Sequence, residues 1–437
     1  MTEPLVRAAF AASLFLCVGL NLSVLIALVF GFFLFFGYGL WRRHSVRQML
    51  RFVWSGIRTV GNILVTFVLI GVITAVWRAD GTIAYIVSYA TKVLSPHSMI
   101  LVTFLLCCLV SCLTGTAFGA AATMGVICAT MAGSMGIPGV YIGGAVLAGS
   151  YFGDRCSPMS TSALLVSTLT KTDLFHNIAV MIKTSVVPFL LTCGIYALLG
   201  RGFDMQADGS GMQTLFSSNF VLHPAVLIPA IVIIVLSLCR INVRITMSVS
   251  ILCAVVLAIV LQKVSPAALL EMAVMGYHPE NAEVAALLSG GVIVSMARVI
   301  LIACISSCYS GMFNGTGLLD GVRASLSAMS RKVTPFGCIL LTSALSALIA
   351  CNQTLTIMLT CELCQDVEHD PVQMASDLED TAVVLAPLVP WSIAGAVPLA
   401  TVGAPMLSLL TSFYLYLLPL WRFFMQFPAK KRCGKTD

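Results

Sequence analysis

Asp154 stands beside Arg155 in a stretch rich in Gly, Ser and Pro that lies between long apolar runs. A carboxylate at the centre of a membrane-spanning helix costs roughly 2.5–3.5 kcal/mol on insertion scales, so chains keep one there mainly to bind or relay an ion. One carboxylate binds either a metal cation or a proton but not both together. We therefore predict that Asp154 is an exchangeable ion ligand. The alternative is a structural Asp154–Arg155 arrangement, with Asp154 capping the half-helix after the break.

Two polar interruptions divide other apolar stretches, at residues 111–119 and 350–354. Irregular backbone inside a bilayer survives only where it is packed in protein or lines a cavity. Its carbonyls and hydroxyls can replace the water shell of a cation, although small and hydroxylated residues also favour plain helix packing. The pairing of the two interruptions favours an ion or substrate role. The predicted oxygen ligands around Asp154 are Thr116, Ser157, Ser160 and Thr161 from the first half, and Asn352, Thr354, Asp380 and Ser392 from the second.

Arg298 is a second charged residue whose insertion into a membrane costs free energy. It lies near the middle of the apolar stretch 283–312, with no acid within a helical turn. It is predicted to pair with Asp154 or Asp380 or to hold a substrate carboxylate. Snorkelling to an interface is the alternative. Glu379 and Asp380 follow an acidic loop, so a solvated helix N-terminus is an alternative to a buried site for this pair.

The composition defines the elements that must position these residues. Of the 437 residues, 59% are hydrophobic and 10% charged, whereas soluble domains carry about 25% charged residues. The apolar runs are long and continuous rather than alternating, as strands of a membrane barrel would be. These features predict an all-α polytopic membrane protein of the inner or plasma membrane, with about 10–12 transmembrane segments including broken or re-entrant helices. The six histidines are dispersed and the cysteines stand singly, so no metal site and no cofactor are predicted.

The net charge of +6 lies mostly in short loops, where it sets topology and does not indicate nucleic acid. Basic loop 41–59 and the basic C-terminal tail are predicted to be cytoplasmic, and the loops 201–220 and 263–283 to lie outside. The predicted organisation is N-terminal helices with a basic cytoplasmic loop (1–54), a first transport repeat (55–200), a linker with two connecting helices (201–283), a second, inverted repeat (284–423) and a basic tail (424–437).

The two halves repeat the same order of cues: a Gly-Thr turn, a polar break, an acid, and then Pro and Ser. Gly81-Thr82 should lie outside and Gly315-Thr316 inside, because the preceding helices start from opposite sides of the membrane. Two copies of one unit in opposite orientation form the inverted-repeat plan of secondary transporters. Chance recurrence in a Gly-rich chain is the alternative.

Residues 151–160 (YFGDRCSPMS) with 172–175 (TDLF), and residues 378–381 (LEDT) with 386–396 (APLVPWSIAGA), resemble signatures of the NhaC-type Na⁺/H⁺ antiporters. The similarity covers most of residues 55–420. It implies an inverted-repeat transporter of the ion-transporter superfamily, whose members include exchangers of malate and Na⁺-lactate. The chain departs from the pattern at 161–163, where Thr-Ser-Ala replaces an acid and two threonines. It also departs at position 298, where this chain has an arginine and members of the family usually have an apolar residue. Both departures favour binding of an anion.

These observations predict a secondary active transporter, not an enzyme, that exchanges Na⁺ for H⁺ by alternating access. Its partners would be the lipid bilayer and a small cation or carboxylate, with a second copy of the chain as a candidate for a homodimer. The main alternative is a Na⁺- or H⁺-coupled transporter of a small organic acid or amino acid, in which Arg298 holds the carboxylate. An intramembrane enzyme with Asp154 and Asp380 as an acid pair lacks a supporting sequence context, and the paired breaks disfavour a passive channel.

Overall fold

Helices make up most of the described part of the computed structural model of the chain. The structure describes residues 24–90, 94–203, 209–239, 241–279, 281, 284–285, 293–316, 334–350 and 352–426, with short pieces at 5–6, 9–10, 12–13 and 16–17. Within these ranges no β-strand is present. The all-α prediction is therefore confirmed. The basic residues of 317–333 and of the tail 427–437, which entered the prediction of orientation, lie outside the described residues.

The helices follow one another closely along the chain. Those of the first half are α1 (Val24–Trp41), α2 (Val46–Ala79), α3 (Thr82–Ala90), α4 (Pro96–Thr114), α5 (Ala117–Ser134, with a π-helical turn at Ala121–Gly125), α6 (Gly139–Cys156), α7 (Thr161–Thr170) and α8 (Leu174–Gly200). Those that follow are α9 (Gly209–Asn219), α10 (Ile228–Leu238), α11 (Val243–Val260), α12 (Pro266–Met275), α13 (Ile293–Thr316), α14 (Pro335–Ala350), α15 (Gln353–Leu363), α16 (Pro371–Asp380), α17 (Ala382–Leu385), α18 (Ile393–Thr401) and α19 (Phe413–Gln426).

Among the described residues, α4, α5 and α8 are long and apolar enough to cross a membrane. Two bent pairs also qualify if each is one broken span: Leu64–Ala79 with Thr82–Tyr89, bent by 64°, and Pro371–Leu388 with Ile393–Thr401, bent by 57°. Large apolar side chains such as Leu190 and Leu252 are about two-thirds exposed, as expected of lipid-facing residues. The chain is thus a multi-pass membrane protein with broken helices. The larger span count, the domain limits and the inverted orientation stay predictions.

The break between α4 and α5 depends on Gly115, whose backbone is left-handed at φ +65°. A Cβ added there would meet the backbone carbonyl carbon of Met159 at 2.5 Å, so a larger residue is opposed by both conformation and space. Thr116 then begins α5 as its N-cap residue, with its hydroxyl facing the N–H of Gly119. The predicted interruption in 111–119 is therefore a true helix break.

A matching break separates α14 from α15. Helix α14 ends at Ala350, and Asn352 caps α15 by accepting a hydrogen bond from the N–H of Leu355 at 2.9 Å. The amide of Asn352 also donates to the carbonyl of Ala350 at 3.2 Å. The side chain of one residue therefore serves backbone groups on both sides of the break.

Glycines bring α6 against α4 next to the first break. A Cβ at Gly149 would lie 2.5 Å from the carbonyl oxygen of Phe104, and one at Gly153 would overlap Ser111 and Cys112. Small residues spaced by four positions permit such close contact between membrane helices. The last turn of α6, which carries Asp154, is thereby fixed beside the start of α5.

Candidate functional site

Asp154 lies in the last turn of α6 and is 4% exposed. After α6 the chain turns sharply and re-enters a helix at α7, whose N-cap is Ser160. The hydroxyl of Ser160 donates to Oδ1 of Asp154 at 3.2 Å, and that of Ser162 donates to Oδ2 at 3.0 Å. The backbone N–H of Ala117, at the positive end of α5, also faces the carboxylate. Asp154 is therefore held between the starts of two half-helices.

The second half of the chain reaches Asp154 through Gln353, the first residue of α15. Its side-chain amide donates to Oδ2 of Asp154 at 3.1 Å and lies 3.5 Å from the carbonyl of Val383. All side-chain donors to Asp154 among the described residues are neutral, and no arginine or lysine there forms an ion pair with it. Within the described ranges the carboxylate thus has polar contacts but no fixed cation to balance it.

Arg155 points away from Asp154 into a separate ion-pair network. Its guanidinium is fully buried and forms an ion pair with Asp380 at the end of α16. It also donates to the hydroxyl of Thr184 at 2.9 Å and to the carbonyl of Met181 at 3.2 Å. The structural alternative of an Asp154–Arg155 pair is therefore wrong, because Arg155 is paired with the second half of the chain.

Asp380 is bound by a second arginine from α19. Nε of Arg422 lies 2.6 Å from Oδ2 of Asp380, and its NH2 group lies 2.9 Å from Oδ1 of Asp377. We call Arg155, Asp377, Asp380 and Arg422 the arginine network. The structure places Asp380 in this network and shows no contact between it and Asp154 among the described residues, so its predicted role as an ion ligand stays a prediction. The solvated helix N-terminus is wrong, since Glu379 and Asp380 end α16 and are buried.

A cavity of about 370 Å³ lies beside Asp154 and is lined by both breaks. Its lining includes four of the predicted ligand residues: Thr116, Thr161, Asn352 and Thr354. Asp154 itself does not line this cavity, whereas Gln353 does. Since Gln353 also bonds to Asp154, its amide stands between the cavity and the carboxylate.

Other predicted residues have local roles or fall outside the site. Ser157 donates to the carbonyl of Cys112 at 2.7 Å, which fixes the turn after α6 against α4. Ser392 caps α18 by accepting the N–H of Ala394 at 3.3 Å. The backbone of Arg298 belongs to α13, but its side chain lies outside the described residues.

Three residues of this region were absent from the predicted ligand set: Ser162, Gln353 and Glu379. Gln353 lies inside the same polar break as Asn352. Its longer side chain brings its amide to Asp154, whereas the amide of Asn352 caps the helix. Ser162 is one of the residues at which the chain departs from the NhaC pattern. Glu379 is adjacent to Asp380, and no sequence feature distinguishes which of the two acids is paired.

Comparison with known proteins gives consistent matches along the chain. A family model described as the Na⁺/H⁺ antiporter family matches residues 4–173 and 149–421. The chain is 26% identical over 412 residues to an uncharacterised Na⁺/H⁺ antiporter of Haemophilus influenzae, covering 89% of this chain and 86% of that protein. It is 26% identical over 365 residues to the Na⁺/H⁺ antiporter NhaC of Alkalihalophilus pseudofirmus, covering 80% and 78%. It is 24% identical over 410 residues to the malate-2H⁺/Na⁺-lactate antiporter of Bacillus subtilis, covering 91% and 87%.

Proposed function

Because the chain belongs to the Na⁺/H⁺ antiporter family, we propose that it exchanges Na⁺ for H⁺ across the plasma membrane by alternating access, with Asp154 as the shared ligand. The observation that supports this most is the environment of Asp154: a buried carboxylate that, in the part of the chain that the structure describes, has neutral hydrogen-bond donors and no paired cation. Such a group needs a positive charge, and Na⁺ and H⁺ compete to supply it.

The residues around Asp154 suit a small hard cation. The hydroxyls of Ser160 and Ser162 donate to the carboxylate in this structure, and each also carries lone pairs that a bound Na⁺ would use. The amide oxygen of Gln353 provides a further neutral oxygen. Oxygen atoms at broken helices replace the hydration shell of Na⁺ in transporters of this general plan.

The cavity supplies the path to Asp154. Asn242 and Arg244, next to the start of α11, contribute to its lining. Because basic loops favour the cytoplasmic side, we place the mouth of the cavity and the C-terminus in the cytoplasm. An ion that enters would pass Thr116 and Asn352 and displace the amide of Gln353.

We also propose that residues 55–200 and 284–423 are two units in opposite orientation. Support comes from the two breaks, each of which ends one helix and starts the next with a capping side chain, at Thr116 and Asn352. Both breaks line the same cavity. Half-helices that meet at one site from opposed repeats would give the symmetry that alternating access requires.

Exchange of a small carboxylate is the second candidate, and the cavity itself favours it. Its volume falls in the range of small-molecule sites, about 300–1,000 Å³, and its described lining carries hydroxyls, amides and Arg244 but no acid. Arg244 is the cation among the described residues that line the cavity. Uptake of radiolabelled lactate or malate that is lost in Arg244→Ala would support this candidate.

Everted membrane vesicles test the proposal directly. Addition of Na⁺ should dissipate a preformed pH gradient with the wild-type protein and fail to do so with Asp154→Asn. The matched control is Asp173→Asn, because Asp173 is an exposed N-cap whose function an asparagine preserves. Normal exchange by Asp154→Asn would remove this residue from the mechanism.

A further inference from the structure

Asp80 is a second buried acid at a helix break, at the bend between α2 and α3. Its side chain is 0% exposed, and the two helices meet there at 64°. Within the described ranges no arginine or lysine forms an ion pair with it. Arg78, two residues earlier, is also buried, and its Nε has no hydrogen-bond partner. The carboxyl group of Asp80 is therefore removed from water without a described cation beside it.

Three short contacts surround this carboxyl group. Oδ1 of Asp80 accepts the backbone N–H of Thr82 at 2.8 Å, and Oδ2 lies 2.7 Å from Oγ1 of the same threonine. That Oγ1 also lies 2.7 Å from the backbone carbonyl oxygen of Val226. The hydroxyl of Thr82 therefore connects Asp80 to a segment 144 positions further along the chain.

The two contacts of the Thr82 hydroxyl need two hydrogen atoms, and the hydroxyl carries one. A backbone carbonyl can only accept, so the hydrogen of Thr82 belongs to the contact with Val226. The contact with Asp80 then requires a hydrogen on Oδ2, which a protonated carboxyl group supplies. Burial favours the same state, because an unpaired charge is unfavourable away from water.

An ionised Asp80 that caps α3 is the alternative, since the N–H of Thr82 lies at the start of that helix. Such a cap accounts for the contact to Oδ1. It leaves one of the two 2.7 Å contacts of the hydroxyl as a pair of oxygens with no hydrogen between them. The protonated acid satisfies all three contacts.

We propose that Asp80 is a proton-binding site separate from Asp154, and that its proton keeps the bend between α2 and α3 hydrogen-bonded to the turn before α10. This inference does not depend on the proposed exchange of Na⁺ for H⁺. When Asp80 loses the proton, the hydroxyl of Thr82 turns to the carboxylate and its bond to Val226 breaks. Alkaline pH at this face of the molecule therefore loosens the contact between the two segments.

Three segments of the chain meet at this bend. Val226 lies in the 3₁₀ turn Pro224–Leu227, which precedes α10. Gln262, just after α11, donates to the carbonyl of Asp80 at 3.0 Å and to that of Val221 at 3.2 Å, and it accepts the N–H of Val221 at 3.0 Å. The amide of Gln262 keeps its contacts at any pH, so the bond from Thr82 to Val226 is the part of this junction that a proton controls.

Among the described residues no charged group faces Asp80, and Thr82 is the side chain that acts on its charge. The titratable side chains carried by neighbouring segments are Arg78 of α2, Tyr85 of α3, His223 before the turn, Lys263 after α11, Glu271 of α12 and Tyr277. Of these, His223, Lys263 and Glu271 are exposed at the surface. The proton on Asp80 therefore has no described competitor for the charge.

Infrared spectroscopy of the purified protein in detergent tests the proposal. Asp80→Asn should remove one carboxylic-acid C=O band at neutral pH, whereas Asp173→Asn, at an exposed cap, should remove none. Thr82→Val should shift the band of Asp80 to higher frequency, because the acid loses the oxygen to which it donates. A full band in Asp80→Asn, or an unshifted band in Thr82→Val, would overturn the proposal.

Thermal unfolding across a pH series gives a second measurement. The amide of Asp80→Asn can accept from the N–H of Thr82 and donate to its hydroxyl, so it reproduces the bonds of the protonated acid. Because the folded wild type holds a proton that the unfolded chain releases, its stability should fall with rising pH relative to Asp80→Asn. Asp80→Asn should be at least as stable as the wild type at neutral pH, and the difference should widen toward alkaline pH.

Amide hydrogen exchange at 221–227 tests the contact with Val226. Exchange should become faster in Thr82→Val and stay unchanged in Asp80→Asn, compared at one pH. An Asp80→Asn protein that is less stable than the wild type or fails to fold, a parallel pH dependence of the two proteins, or unchanged exchange in Thr82→Val would each contradict the proposal.

Discussion

The side-chain amide of Gln353 donates a hydrogen bond to Oδ2 of Asp154 across 199 positions of the chain. This contact joins the start of α15, after the second break, to the last turn of α6. It places a neutral donor between the carboxylate and the cavity that both breaks line. Entry of an ion to Asp154 therefore requires a rearrangement of one side chain that belongs to the opposite half.

Replacement of Gln353 by Ala should shift the pH dependence of exchange upward. The amide favours the ionised form of Asp154, and loss of a hydrogen bond to a charged group costs about 1.5–3 kcal/mol, so the proton would be held more tightly. We expect half-maximal exchange to move up by about one to two pH units. Gln365→Ala, at an exposed position, is the control. Identical pH profiles for Gln353→Ala and wild type would contradict a direct role for the amide.

Replacement of Ser162 by Ala should weaken Na⁺ binding. It removes one of the hydroxyl groups that contact Asp154. A loss of about 1.4 kcal/mol of Na⁺-binding free energy corresponds to a tenfold higher half-saturating Na⁺ concentration. The measurement is the Na⁺ dependence of gradient dissipation in everted vesicles. Ser167→Ala is a control on the same helix, because the hydroxyl of Ser167 donates to the carbonyl of Leu164. Equal Na⁺ dependence of the two variants would exclude Ser162 from the ion site.

Replacement of Arg155 by Gln should destabilise the fold rather than alter ion affinity alone. It leaves Asp380 buried without one of its two arginines, and breaking a buried ion pair from one side typically costs about 3–5 kcal/mol. The thermal unfolding midpoint in detergent should fall, and the double variant Arg155→Gln with Asp380→Asn should recover part of the loss. A single variant as stable as the wild type would mean that the pair contributes little.

Replacement of Gly115 by Ala should disrupt the break between α4 and α5. A left-handed backbone costs a residue with a Cβ about 1–2 kcal/mol, and the new methyl would overlap Met159. Exchange activity and thermal stability should both fall. Gly133→Ala is the matched control, since a Cβ there meets nothing within 4 Å. Full activity of Gly115→Ala would show that the backbone can adopt another conformation at the break.

The sequence predicts the helical class, the two breaks and the burial of Asp154. Each of these depends on the free energy of a local segment rather than on contacts between distant residues. Long apolar runs specify helices, and Gly115 or Asn352 in mid-run specifies where a helix stops. An acid inside an apolar segment is expensive wherever the helices pack. These features therefore needed no knowledge of long-range contacts.

The partners of the charges did not follow from the sequence. Arg155 contacts Asp380 across 225 positions, and Arg422 reaches the same aspartate from the last helix. No pattern along the chain distinguishes Asp380, which is paired, from Glu379, which has no ion pair among the described residues. That distinction arises only when α6, α16 and α19 are packed.

Asp154 and Arg155 are consecutive residues with different roles. The guanidinium of Arg155 joins α6 to α8, α16 and α19, whereas the described side chains that bond to the neighbouring carboxylate are two serine hydroxyls and one amide. The anchor holds the backbone of α6 in place beside the exchangeable charge. Ion selectivity can therefore diverge between related chains through changes at 160–162 and 353, while the frame that carries the aspartate stays the same.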